Sequence, residues 1–112
     1  MINADFTKKD GRVRLILSGH AGYAHDGSDI VCAAVSGLFY ALVGYLMNLK
    51  NEGLIIRSIA SGRGDVECSL EGEEAMKLAC IGLVQIALQY PAHLSVHNGA
   101  FPWKIGEVIV DE

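Results

Sequence analysis

Between Gly19 and Ser36 the chain reads GHAGYAHDGSDIVCAAVS, which gathers one thiol, two imidazoles and two carboxylates in a short span. Cys32 carries the most chemical potential. It falls in the first turn of an apolar run that opens at Ile30, and the unpaired N–H groups and positive dipole end of a helix start favour a thiolate. His20 precedes it by twelve residues, at the end of an apolar strand and the opening of a loop that contains Gly19, Gly22 and Gly27. An imidazole beside a thiol can hold it as an ion pair or take its proton, which is the chemistry of a nucleophilic catalyst. The plainer alternative is burial, because most free cysteines in apolar runs are inert fillers. That reading is the one adopted for Cys68, in a strand, and Cys80, in a helix.

The neighbouring polar residues admit plainer roles beside catalysis. Asp29 either orients His20 as the third member of a triad or caps the helix, and capping is the commoner task for an Asp just before an apolar helix. Ser36, one turn beyond Cys32, suits a helix residue bonding back to a carbonyl. His25 has either an acid–base role or, the commoner outcome, that of a solvated loop residue that touches substrate. His93 and His97 have the spacing of a metal pair, but Pro91 argues against a helix there and no third ligand is evident, so no metal is expected. The glycines of the loop are not followed by the lysine of a phosphate-binding loop, and no cofactor is expected.

The elements that must position these groups follow from pattern. Ile2–Thr7 and Val13–Leu17 flank an Asp10-Gly11 turn and read as a hairpin. Residues 19–28 form a loop, and Ser28 or Asp29 caps a helix that runs to about Asn48 and ends at Asn51-Glu52-Gly53. Leu54–Ala60, a turn at Ser61–Gly64, and Asp65–Leu70 with Val66, Cys68 and Leu70 on one side make a second hairpin. Glu73–Tyr90 is an amphipathic helix with Glu73 and Glu74 in its first turn, closed by Pro91, and Leu94–Val96 adds a short strand. The expected fold is α+β: a two-layer ββαββα arrangement, two helices on one face of a mostly antiparallel sheet. Ala33, Gly37, Ala41 and Gly44 line one face of the first helix, and Ala75, Ala79 and Gly82 one face of the second. Close helix packing accounts for both stripes, with a ligand groove as the less favoured alternative.

Composition bounds the function classes. With 112 residues, 51% hydrophobic and 20% charged, the chain is one domain able to bury a core rather than a disordered segment. A net charge of −4 and the lack of a basic block speak against direct nucleic-acid binding. Three cysteines without a CxxC pair fit a reducing compartment. The opening MINADFTKKDG carries no apolar signal core, so a cytoplasmic protein is expected. The uncharged run Ile30–Met47 is at the lower limit for a membrane span, and a helix buried on most sides of the domain, with no membrane partner, is the reading adopted.

The segment GHAGYAHDGSDIVCAAVS closely resembles the signature of the ribosomal-processing cysteine proteases, the Prp family, without a gap from Gly19 to Ser36. The element order and the Gln89-Tyr90-Pro91 ending of the second helix are also similar, over residues 1–97. Residues 98–112, with Pro102-Trp103, resemble an extension beyond the family domain. The resemblance implies that Cys32 is the nucleophile and His20 the general base, with Asp29 and Ser36 supporting. It implies a mobile substrate loop built on Gly19, Gly22 and Gly27. The implied substrate is large-subunit ribosomal protein twenty-seven, from which family members remove an N-terminal extension. A homodimer is expected. Two other classes stay open on the residues alone: a non-catalytic module that clamps a peptide or ribosomal protein with the same loop, and a structural homodimer.

Overall fold

The computed structural model describes residues 1–25, 29–49 and 54–99. Strands β1 (Ile2–Lys9) and β2 (Arg12–Ser18) pair antiparallel, with Lys9 opposite Arg12. Asp10 and Gly11 make the turn with φ of 53° and 75°, the primed geometry that matches strand twist. Helix α1 (Ile30–Asn48) follows, then β3 (Ile55–Ala60) and β4 (Arg63–Ser69), a single 3₁₀ turn at Leu70–Gly72, helix α2 (Glu73–Gln89), and β5 (Leu94–His97). The sheet order is β3-β4-β2-β1-β5, antiparallel throughout except for β5, which runs parallel to β1. The α+β expectation of two helices over a mostly antiparallel sheet therefore holds.

Alternation along the strands sends one set of side chains to the helices. Ile2, Ala4 and Phe6, then Val13, Leu15 and Leu17, then Val66 and Cys68, meet Val31, Val35, Phe39, Leu42 and Leu46 of α1 and Met76, Cys80 and Leu83 of α2. The α1 residues repeat every three or four positions, so one stripe of the helix is buried. Glu73 and Glu74 lie in the first turn of α2 as expected.

Four sequence expectations change. The turn of the second hairpin is Ser61-Gly62 alone, and β4 begins at Arg63, because Arg63 and Gly64 already pair with Ser18 and Leu17. Gly64 leaves room for the Phe39 ring, which a Cβ there would approach to 2.8 Å. Leu70 is not in the strand: it opens the 3₁₀ turn and is exposed. The small residues of α1 do not face α2, since Gly37 and Gly44 look into open space, whereas Gly82 of α2 does lie against Leu38. For the same reason α1 is buried along one face, not most of its circumference. A two-layer fold covers only the side toward the sheet, and Tyr40, Tyr45 and Met47 stand exposed on the other. By length and composition α1 could cross a membrane, yet here it packs one face against the sheet and α2. The helix stop expected at residues 51–53 and most of the 98–112 extension lie outside the described residues.

The sheet face turned away from the helices carries an ionic ladder. Arg14 grips Asp65 through two hydrogen bonds of 2.8 and 2.7 Å, and Arg12 and Arg57 both reach Glu67. Asp65 is only 3% exposed, and the Arg14 hydrogen bond holds its carboxyl below the ordinary carboxylate range. A carboxyl so lowered stabilises the fold above its unfolded pKa and loses that contribution as pH falls through the folded value. Arg14→Met should therefore lower unfolding free energy at neutral pH by about 1–3 kcal/mol and flatten the loss of stability below about pH 4, read by urea denaturation across pH.

Candidate active site

The local chain sets the site before any long-range contact does. Asp29 is the N-cap of α1, in extended conformation, and its Oδ1 accepts the Cys32 N–H at 2.9 Å. Of the two caps the sequence offers, Asp29 is the one observed; Ser28 lies outside the described residues. Cys32 is thereby the third residue of the helix, one turn in, with its side chain half-buried. The other oxygen of Asp29 turns back to the loop and accepts from Tyr23 N–H at 3.0 Å and Ala24 N–H at 3.4 Å. The Cys32 N–H bond foremost, and the loop amides after it, hold the Asp29 carboxyl below its usual range.

His20 follows β2 at its C-terminal end. Gly19 donates its N–H to the Gly62 carbonyl at 3.0 Å, which ties the loop opening to the β3–β4 turn. Gly62 has a φ of +72°, and a Cβ there would stand 2.7 Å from His20 Nε2, so the imidazole rests on a place that only glycine keeps open. Gly19, with φ +92°, is similarly required, because a side chain would run into the Met1 carbonyl.

One groove of about 710 Å³ collects these groups. Gly19, His20, Asp29, Cys32 and Ser36 line it, with Phe39, Tyr40 and Ile59 supplying an apolar wall and Arg63 a cation. Cys32 and His20 thus open on the same space. Among the described residues no hydrogen bond joins their side chains; Cys32 Sγ instead receives the Ala21 N–H at 3.4 Å. Gly22, at φ +66°, has open space around it, and Gly27 lies outside the described residues. The observed bonds of Asp29 all run to backbone N–H groups, the geometry of a cap that also clasps the loop. Cys68 and Cys80 are buried away from the groove, and burial pushes both thiols up to about 11. His93 and His97 do not act as a pair: His93 Nδ1 bonds the Ala21 carbonyl at 2.9 Å and His97 Nε2 lies 3.4 Å from Ser95 Oγ.

Sequence reasoning missed the far wall of the groove and the partners of the loop. Gly62 meets His20, and Ile59 and Arg63 share its groove, because β4 pairs with β2 and β3 with β4. Tyr90 and His93 reach Tyr23 and Ala21 from the end of α2 and the approach to β5. No local pattern signals either. The Gly62 position was visible as a turn glycine, but its role as the seat of His20 was not.

The family described as cysteine protease Prp matches residues 1–95 of the chain. A ribosomal processing cysteine protease Prp from Mycoplasma genitalium is 31% identical over 90 residues, which cover 78% of this chain and 89% of that one. Two crystal structures of an essential ribosomal processing protease Prp from Staphylococcus aureus superpose on it. The complex with a covalently linked product peptide has a TM-score of 0.73 at 27% identity. The complex with a substrate peptide has 0.71 at 25% identity. Each covers 87% of this chain and 98% of the other.

Two outcomes follow from the geometry. Iodoacetamide at mildly acidic pH should label Cys32 well ahead of Cys68 and Cys80, and peptide mapping that finds the three labelled alike would contradict this placement. Asp29→Asn retains an oxygen for the Cys32 N–H but presents a donor on its other side. Hydrogen exchange should then show the Cys32 amide protected as before and the Tyr23 and Ala24 amides exchanging faster.

Proposed function

The chain belongs to the cysteine protease Prp family, and on that footing we propose that Cys32 is its nucleophile and His20 its acid–base partner. The observation that carries this reading is the shared groove: a half-buried thiol in the first turn of α1 and an imidazole from the end of β2 face one peptide-sized space. Cys32 sulfur attacks the scissile carbonyl as the thiolate, and its proton resides on His20. The tetrahedral intermediate collapses to a thioester as His20 gives that proton to the leaving amine. Water then loses a proton to His20 and adds to the thioester, releasing the acid and restoring the thiol. Negative charge on the carbonyl oxygen develops near the N-terminal end of α1, where the helix dipole favours it. Asp29 serves as cap and loop clasp, and Ser36 lines the groove one turn deeper. That a relative is found with a covalently linked product peptide supports a nucleophile facing the groove.

The substrate we propose is large-subunit ribosomal protein twenty-seven bearing an N-terminal extension, processed in the cytoplasm during ribosome maturation. The ribosomal processing named for the relatives supports it, as does an apolar wall of Phe39, Tyr40 and Ile59 suited to peptide side chains. No cofactor enters the chemistry.

Mixing the reduced enzyme with this extended protein and weighing the products tests the reading. Wild type should yield the shortened form. Cys32→Ser should bind and leave the extension in place, and His20→Ala should lose about 10²–10⁴-fold in turnover. A wild-type enzyme that holds the substrate in a lasting complex without cutting it would favour the clamp instead.

A further inference from the structure

We propose that His93 is a positioning residue for the Cys32 thiol, acting through the backbone of Ala21; the proposal rests on the reading of Cys32 as nucleophile. Ala21 is 2% exposed and is gripped from two sides. Its carbonyl bonds His93 Nδ1 at 2.9 Å, and its N–H points at Cys32 Sγ from 3.4 Å. A carbonyl only accepts, so Nδ1 carries the hydrogen, and the bond persists whether the ring is neutral or protonated. The base of the ring is itself held. The His93 carbonyl accepts the Ile2 N–H at 3.0 Å, and its N–H donates to the Tyr90 carbonyl at 2.9 Å. Tyr23 packs edge-on against the imidazole at 5.2 Å and against Tyr90 at 5.4 Å. The end of α2 and the start of β5 thus form a fixed bracket from which one N–H sets the orientation of Ala21.

The consequence is directed at sulfur. An N–H donor favours the anionic form of a thiol, and this one is kept on line only while the Ala21 carbonyl is satisfied. The Ala21 N–H lies in the peptide plane before its Cα and the carbonyl in the plane after it. Losing the imidazole leaves an enclosed carbonyl without its donor, lets the backbone shift about the shared Cα and loosens the aim of the N–H. Asp29 acts on Cys32 from the other side, through the Cys32 N–H, and meets the bracket at Tyr23, whose N–H it accepts.

The test compares His93→Phe, which keeps an aromatic edge for Tyr23 but has no donor, with His93→Asn, whose amide nitrogen lies close to the Nδ1 position. Iodoacetamide labelling of Cys32 at mildly acidic pH, melting temperature, and kcat and KM on the extended substrate are read for each. His93→Phe should slow labelling and lower kcat by about tenfold, with KM held and melting lowered by several degrees, while His93→Asn recovers most of each. Labelling of His93→Phe at the wild-type rate, or a folded His93→Asn as slow as His93→Phe, overturns the proposal. Should His93→Phe not fold, slow labelling of a folded His93→Asn alone overturns it, and near-wild-type labelling supports it. A wild-type enzyme that fails to cut, with labelling still dependent on His93, would sink the protease reading and leave the positioning role standing.

Discussion

A single carboxylate, that of Asp29, joins the two pieces of chain that make the site. One oxygen ends the α1 backbone at the Cys32 N–H and the other collects the loop amides of Tyr23 and Ala24. The start of a helix has N–H groups that need acceptors, and a loop poor in apolar side chains has little else to hold it. Meeting both needs with one side chain couples the loop's path to the helix that carries the thiol. Because an ionised carboxylate does this, and its hydrogen bonds keep it ionised below the usual range, the coupling holds across the pH range in which a cell operates.

The rest of the fold works to bring that helix start to the end of β2. The β1–β2 hairpin and the β2–β4 ladder put the β3–β4 turn beside His20, and the lack of a side chain at Gly62 leaves room for the imidazole, Nε2 nearest. Opposite, β5 pairs with β1 and delivers Tyr90 and His93 to the loop. The loop is therefore gripped at Gly19 by the second hairpin, at Ala21 and Tyr23 by the end of α2 and the start of β5, and at Tyr23 and Ala24 by the helix cap. Apart from the buried Ala21, each grip is a hydrogen bond or an aromatic edge rather than buried area.

Two layers rather than three leave surfaces with different characters. The outer face of the sheet is closed by arginine–carboxylate pairs, with Asp65 almost wholly covered by them. The outer face of α1 carries exposed Tyr40, Tyr45 and Met47 beside Ala33, Gly37 and Ala41, so the stripe of small residues that looked like helix packing proved to be surface. Close approach of two helices needs small residues, but small residues do not compel it.

The sequence alone determined the alternation of strands, the two helices, the Asp10-Gly11 turn and the thiol at a helix start. Each rests on local chemistry: period-two and period-3.6 hydrophobicity, glycine at positive φ, a capping carboxylate. The resemblance of residues 19–36 to a protease signature added the expectation that Cys32 works with His20, which no local rule supplies, and the two line one groove. Tertiary structure decided the rest. Which helix face is buried, where β4 begins, that Gly62 seats His20, and that His93 holds Ala21 all depend on which strands become neighbours. Strand order brings residues 20 and 62, or 21 and 93, into contact across long stretches of chain, and such contacts leave no periodic trace in the sequence that makes them.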